Sequence, residues 1–384
     1  LRRSNPQFAV WRLLRSARND TEKRILKPHI AILGAGNGAH AFAGDLALRG
    51  YPVRVYNKFE NEIAALQSAG GVTCEGVVAG FGALELITTD IAPVVANADI
   101  LFVVVPANAH AFMAHACAPH LRDDQVIILN PGRTGGALEF RNVLRARGVT
   151  ARVLIAEAQT LLYTCRISAP ARVRITMVKR AVTLAALPAR DTARVLERLN
   201  PLFPQFVAAS DVLETGLDNI GAMFHPTTTI LSVGRIESGV PFEFYRDLTP
   251  SIARFIETMD AERLAVARAF GIRAQSASEW LARSYDGITG DTLYERIQSN
   301  AAYRGIAAPR AIDTRYIWED VPTGLVPMVA LGKIANVPMP ACEGLANIAC
   351  ALLGRDFWNE GRNARQLGIE GYTLAQVKKT CGVG

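Results

Sequence analysis

An α/β architecture is predicted, with a doubly wound parallel sheet in the first half and an all-α domain in the second. Three observations predict it. The chain has 384 residues, beyond the roughly 250–300 at which a single core stops growing, so two domains are expected. From residue 29, short β-branched runs (HIAIL, PVRVY, DILFVVV, QVIILN) alternate with amphipathic stretches, the pattern of a parallel sheet covered on both faces. Past Phe206 that alternation stops. Apolar residues then recur at helical spacing, as in Ile252, Phe255, Ile256, Met259, Leu264, Val266 and Phe270. The expected division is residues 1–28, 29–205 and 206–384.

Residues 1–28 carry Arg2, Arg3, Arg12, Arg15, Arg18, Lys23, Arg24 and Lys27 without an apolar core. They read as a basic arm rather than a secretory signal. The net charge of +7 comes partly from this arm, and the remainder suits anionic cofactors and carboxylate substrates; nucleic acid is not expected. No apolar run approaches the ~20 residues of a bilayer span. The six cysteines form no C-x-x-C pair and no zinc spacing, so a reduced, cytoplasmic setting with neither a metal nor a disulfide framework is expected.

The run Gly34-Ala35-Gly36-Asn37-Gly38-Ala39 follows an apolar strand directly and opens a helix. That context makes it a dinucleotide fingerprint. Gly34 would permit the tight turn, Gly36 the approach of a pyrophosphate and Ala39 close helix–strand packing, with phosphate over the N–H groups of Asn37 and Gly38. The first domain therefore reads as a Rossmann domain binding a nicotinamide dinucleotide. The second strand ends at Asn57-Lys58, where NAD-selective sites carry an acid for the ribose diol; NADP(H) is expected in preference to NAD(H). Glu60 would be the alternative ribose contact, with Lys58 merely starting a solvated helix. Pro106 and Asn108 end the strand VVVPANAH, the edge where ligands bind, and the loop NPGRTGG ends the next.

One histidine, His225, lies in the second half. It precedes Pro226, which predicts a helix break that would present the imidazole as a proton donor. A histidine among Met, Phe and Ile is otherwise an ordinary core residue. His40 and His110 are second choices, being in apolar helical patterns.

The segments ILGAGNGAHAFAGDLALRG, LNPGRTGGALEFR, NIGAMFHP and DTRYIWEDVPTGLVP resemble opine dehydrogenases of the octopine/nopaline type, with the norvaline-type bacterial members most similar. The likeness runs from about residue 29 to 384. It implies reversible, nicotinamide-dependent condensation of an L-amino acid, here apolar, with a 2-oxo acid such as pyruvate, in a homodimer. It also implies that His225 is the catalytic acid and base, oriented by Asp320. Arg315 would meet the 2-oxo acid carboxylate, with Cys165 and Trp280 at the amino acid and Met223 and Phe224 bordering its pocket. One departure is Asn57-Lys58, where the norvaline type carries an Asp. Two other readings stand beside this one. A ketopantoate- or glycerol-3-phosphate-type reductase would need a lysine in a motif, and none of Lys333, Lys378 and Lys379 lies in one. A non-catalytic cofactor sensor would bind without turnover.

Overall fold

The computed structural model describes residues 27–382; all but the last two residues of the expected basic arm lie outside them. The main sheet has eight strands. In chain order these are β1 (Ile30–Leu33), β2 (Val53–Tyr56), β5 (Leu86–Thr88), β6 (Ile100–Val103), β7 (Val126–Leu129), β8 (Leu154–Ala158), β11 (Val182–Leu187) and β12 (Phe206–Ala208). Their spatial order is β12-β11-β8-β7-β6-β1-β2-β5. Strands β1, β6 and β7 are buried at every position, which is why their sequences read as unbroken apolar runs. Order reverses between β1 and β6, and both strands pair in parallel at that point. The crevice beyond their carboxyl ends is the ligand position of such sheets.

Two features depart from the sequence reading. The strand-like run RVRITMVK, which in sequence looks like a further strand of the parallel sheet, forms β10 (Arg172–Val178) of a separate four-stranded sheet with β3 (Gly71–Gly76), β4 (Gly80–Ala83) and β9 (Tyr163–Ala169). Strands β9 and β10 are joined by a tight turn through Ala171 (φ 54°). So short a connection leaves only antiparallel pairing, as observed. Strand β11 also runs antiparallel to β8, and β12 carries the sheet past the boundary expected at 205.

Beyond β12 the described chain is helical, built around the long helix Pro250–Phe270. Its Thr249 cap accepts from the Ile252 amide, and Gly271 closes its far end in the left-handed region. Two hydrophobic cores form, yet they divide at the sheet rather than between domains. One lies on the sheet face that carries the helix Asn37–Leu48 and the small sheet. The other joins the opposite face continuously to the helical domain, from Leu129 and Phe140 to Met259, Val329 and Leu345. Among the described residues no helix is long and apolar enough to cross a membrane.

Glu157, at the carboxyl end of β8, is completely buried and accepts from the Ala137 amide at 2.7 Å and the Thr215 hydroxyl at 2.7 Å. Burial pushes its carboxyl from 4.5 up to about 7 despite those bonds. The folded state therefore holds a proton that the unfolded chain releases between about pH 4.5 and 7. Stability should fall as pH rises through that window, and Glu157→Gln should flatten the fall. Urea unfolding at pH 5 and pH 8 checks this; an equal pH response in both proteins would contradict it.

Candidate active site

The fingerprint is built as a phosphate seat. Gly34 has φ +126°, and a Cβ there would lie 2.5 Å from the Val104 carbonyl, so only glycine fits between β1 and β6. At Gly36 nothing lies within 4 Å of an added Cβ, leaving open space before the helix Asn37–Leu48. No side chain caps that helix, so its first N–H groups are available to a phosphate. Pro106 and Asn108 are exposed beside this opening, on the turn after β6. These residues fit a dinucleotide and would hold its pyrophosphate.

Asn37 plays a further part: its side chain accepts from the Ile167 amide at 2.8 Å, and its carbonyl accepts the Cys165 thiol at 3.3 Å. Cys165 is thus tied to the fingerprint helix, and burial raises its thiol to about 11. At the end of β2, Asn57 is buried and its amide donates to Glu62 at 2.8 Å. Lys58 is exposed, with its ammonium 4.6 Å from the Phe112 ring centre.

The second half supplies the titratable groups. His225 lies in the helix Gly221–Leu231, which runs through Pro226 instead of breaking before it. The expected break is absent because Met223, Phe224, Thr227 and Ile230 are all buried, and their packing offsets the hydrogen bond that proline removes. Met223 and Phe224 consequently belong to the core rather than to a pocket wall.

His225 Nδ1 donates to Asp320 Oδ2 at 2.8 Å, and its ring stacks on Tyr316 at 4.5 Å. The histidine side chain is 21 % exposed and the Asp320 side chain 2 %, so the imidazole faces the opening and the carboxylate lies behind it. Burial acts to raise the Asp320 carboxyl, but the charges of Arg133, His225 and Arg315 outweigh it and hold it below the usual range. Asp320 stands at the entry to a π-helical turn, Val321–Leu325, a geometry common at functional sites.

Three neighbours escaped the sequence reading. Arg133, in the NPGRTGG loop and at φ 59°, places Nη1 3.7 Å from Asp320 Oδ1 and donates to Asn219 at 3.1 Å. Glu319 receives both Arg315 and the Ala107 amide, the latter at 3.0 Å. Arg362 is buried against both cleft loops. Only the loop holding Arg133 carried a signal. Arg315 thus meets Glu319 through Nε and Nη2, while its side chain stays about half exposed. Trp280 packs on Tyr285 at 5.8 Å and joins His225 only through Tyr303, Tyr245, Phe244 and Tyr316. His110 is fully buried and accepts from Arg362 at 2.8 Å. Burial and the charges of Arg362 and Arg133 hold it neutral, well below the usual value. His40 bonds its own helix at Gly36, and burial lowers it too.

Residues 208–353 match the family model of the NAD/NADP octopine/nopaline dehydrogenase α-helical domain, and residues 29–129 match that of the coenzyme F420-dependent NADP oxidoreductases. The chain is 43 % identical to an opine dehydrogenase of Arthrobacter sp. (strain 1C) over 91 % of its length and 97 % of that protein. It is 26 % identical to octopine dehydrogenase of Pecten maximus over 86 % and 92 %. A solved structure of octopine dehydrogenase with NADH and L-arginine shares the fold, with a TM-score of 0.78 and 24 % identity over 93 % and 98 % of the two chains. A ketopantoate reductase from Ralstonia eutropha JMP134 shares it less closely, at a TM-score of 0.57 and 18 % identity over 84 % and 98 % of the two chains. The chain belongs to the opine dehydrogenase family: it is a nicotinamide-dependent oxidoreductase that acts on CH–NH groups and reductively condenses an amino acid with a 2-oxo acid.

Proposed function

We propose that His225 is the proton donor and acceptor of this reaction and that Asp320 is its orienting partner. The observation that carries the reading is the 2.8 Å bond from Nδ1 to a buried carboxylate, which fixes the ring and leaves Nε2 as the free nitrogen. The amine adds to the carbonyl of the 2-oxo acid, and Nε2 protonates the departing hydroxyl, so that water leaves and a C=N bond forms. The bound cofactor supplies the hydride that reduces this bond. In the reverse direction Nε2 takes the proton back. Asp320 stabilises the charged ring while staying ionised itself.

Arg315 holds the 2-oxo acid carboxylate through the edge that Glu319 leaves free, a charge-assisted contact suited to guanidinium. Pyruvate, present in a solved octopine dehydrogenase, is our choice of 2-oxo acid. The Tyr316 ring stacked on His225, with Phe244 behind it, supports an apolar amino acid in place of the more distant Trp280, while Cys165 would act at the amino-acid end through the fingerprint helix. NADP(H) is preferred because Lys58, exposed just past β2, offers a positive charge to a 2′-phosphate, while Asn57 is spent on Glu62. The family resemblance supports a homodimer, and six unpaired cysteines support the cytoplasm.

His225→Ala should lower kcat by about 10²–10⁴-fold with cofactor affinity nearly intact. Arg315→Ala should raise the apparent KM for the 2-oxo acid by roughly 10–100-fold. Steady-state kinetics with cofactor titration check both; kcat within a few-fold of wild type, or an unmoved KM, would reject the respective role. The ratio of kcat/KM for NADPH over NADH should exceed one and fall in Lys58→Ala. A ratio below one would instead favour Glu60 as the ribose contact.

A further inference from the structure

Lys179 follows β10 and has no part in the reading above. Its Nζ donates to Thr160 Oγ1 at 2.8 Å, on the connection after β8. That connection is sewn to the loop bearing Arg133: the Gly132 amide donates to the Ala158 carbonyl at 3.0 Å, and the Asn130 side chain accepts from the Leu162 amide at 3.2 Å. Leu161, between them, packs at Gly38 of the fingerprint. Lys179 therefore stands where the cofactor turn, the Arg133 loop and the helical domain converge. On the other side of Arg133, a methyl added at Gly221 would lie 3.0 Å from Arg133 Nη1 and 3.2 Å from His225 Cε1.

The charges there are not balanced. Burial, and then the charge of Arg133, push the Lys179 ammonium down to about 8. No carboxylate acts on it, and among the described residues none lies within salt-bridge distance. Arg133, Arg315 and Lys179 outnumber Glu319 and Asp320, the carboxylates at the seam. A half-buried ammonium within the field of a guanidinium is unfavourable by itself and becomes favourable when an anion binds between them.

We propose that Lys179, with Arg133, seats the α-carboxylate of the amino-acid substrate, the carboxylate that Arg315 does not hold. This deepens the reading of the site and rests on His225 being the centre of the condensation. The two substrates are then held by separate cationic seats, which brings the amine to the carbonyl carbon beside His225.

Lys179→Gln should raise the apparent KM for the amino acid by about tenfold to a hundredfold, leaving the KM for the 2-oxo acid and cofactor affinity within twofold. In the wild type that KM should rise more steeply through about pH 8 than in Lys179→Arg, which keeps the charge at all working pH values. The groups that bear on Lys179 are the Arg133 guanidinium and the Thr160 hydroxyl. The comparison with Lys179→Arg also cancels titration of the amino acid itself and stands even where Lys179→Gln fails to fold. An unmoved amino-acid KM, a rise confined to the 2-oxo acid, or superimposable pH profiles would overturn the proposal. Failure of Arg315→Ala alone to affect the 2-oxo acid would overturn the reading of Arg315 and leave that of Lys179 standing.

Discussion

The buried guanidinium of Arg362 is the contact on which the geometry of the site depends. It reaches from the helical domain into the carboxyl edge of the sheet and uses every nitrogen there. Nε meets Glu139 at 2.7 Å, Nη1 donates to the carbonyls of Gly132 and Thr134, and Nη2 donates to the Ala107 carbonyl and to His110. A charge buried in this way is tolerated because its donors are matched by a carboxylate and oriented dipoles. The loops after β6 and β7 are thereby fixed to one side chain. Arg133, between two of the carbonyls that Arg362 holds, is directed away from it toward Asp320.

The seam between the domains is then organised by two adjacent carboxylates with different tasks. Glu319 joins Arg315 to the Ala107 amide, and Asp320 joins His225 to the neighbourhood of Arg133. The π-helical turn that follows widens the helix where these neighbours diverge. Asp320 Oδ1 is buried and, among the described residues, has no hydrogen-bond partner. Its charge is compensated at longer range by Arg133 rather than quenched by a bond, which leaves the His225 contact as its strong one. The core that runs unbroken from the sheet into the helices holds these parts in register.

The legible parts of this structure were those with local causes. Strand runs buried on both faces, the Gly34–Ala39 turn and the amphipathic helix Pro250–Phe270 each leave a pattern within a few residues. The small sheet did not, because β3 and β10 lie far apart in sequence and pair only in three dimensions. His225 and Asp320 were named through resemblance, not spacing, since they are brought together across the helical domain. Glu319, Arg362 and Lys179 were invisible for the same reason, and of Arg133 only its loop was legible: a charged side chain looks solvated until its partners are known. Pro226 misled in the other direction, as burial of its neighbours overrode the local preference for a break. Asn57 was expected to meet the cofactor's 2′-phosphate, whereas its amide is turned to Glu62.

The most direct test is cofactor oxidation with the amino acid alone, with the 2-oxo acid alone and with both together, the product being weighed by mass spectrometry, in the wild type and in Asp320→Asn. The account predicts an N-(carboxyalkyl)amino acid only when both substrates are present, and loss of most of that activity in the variant. Oxidation at an equal rate with the 2-oxo acid alone would contradict it, and would identify a simple carbonyl reductase on the same fold.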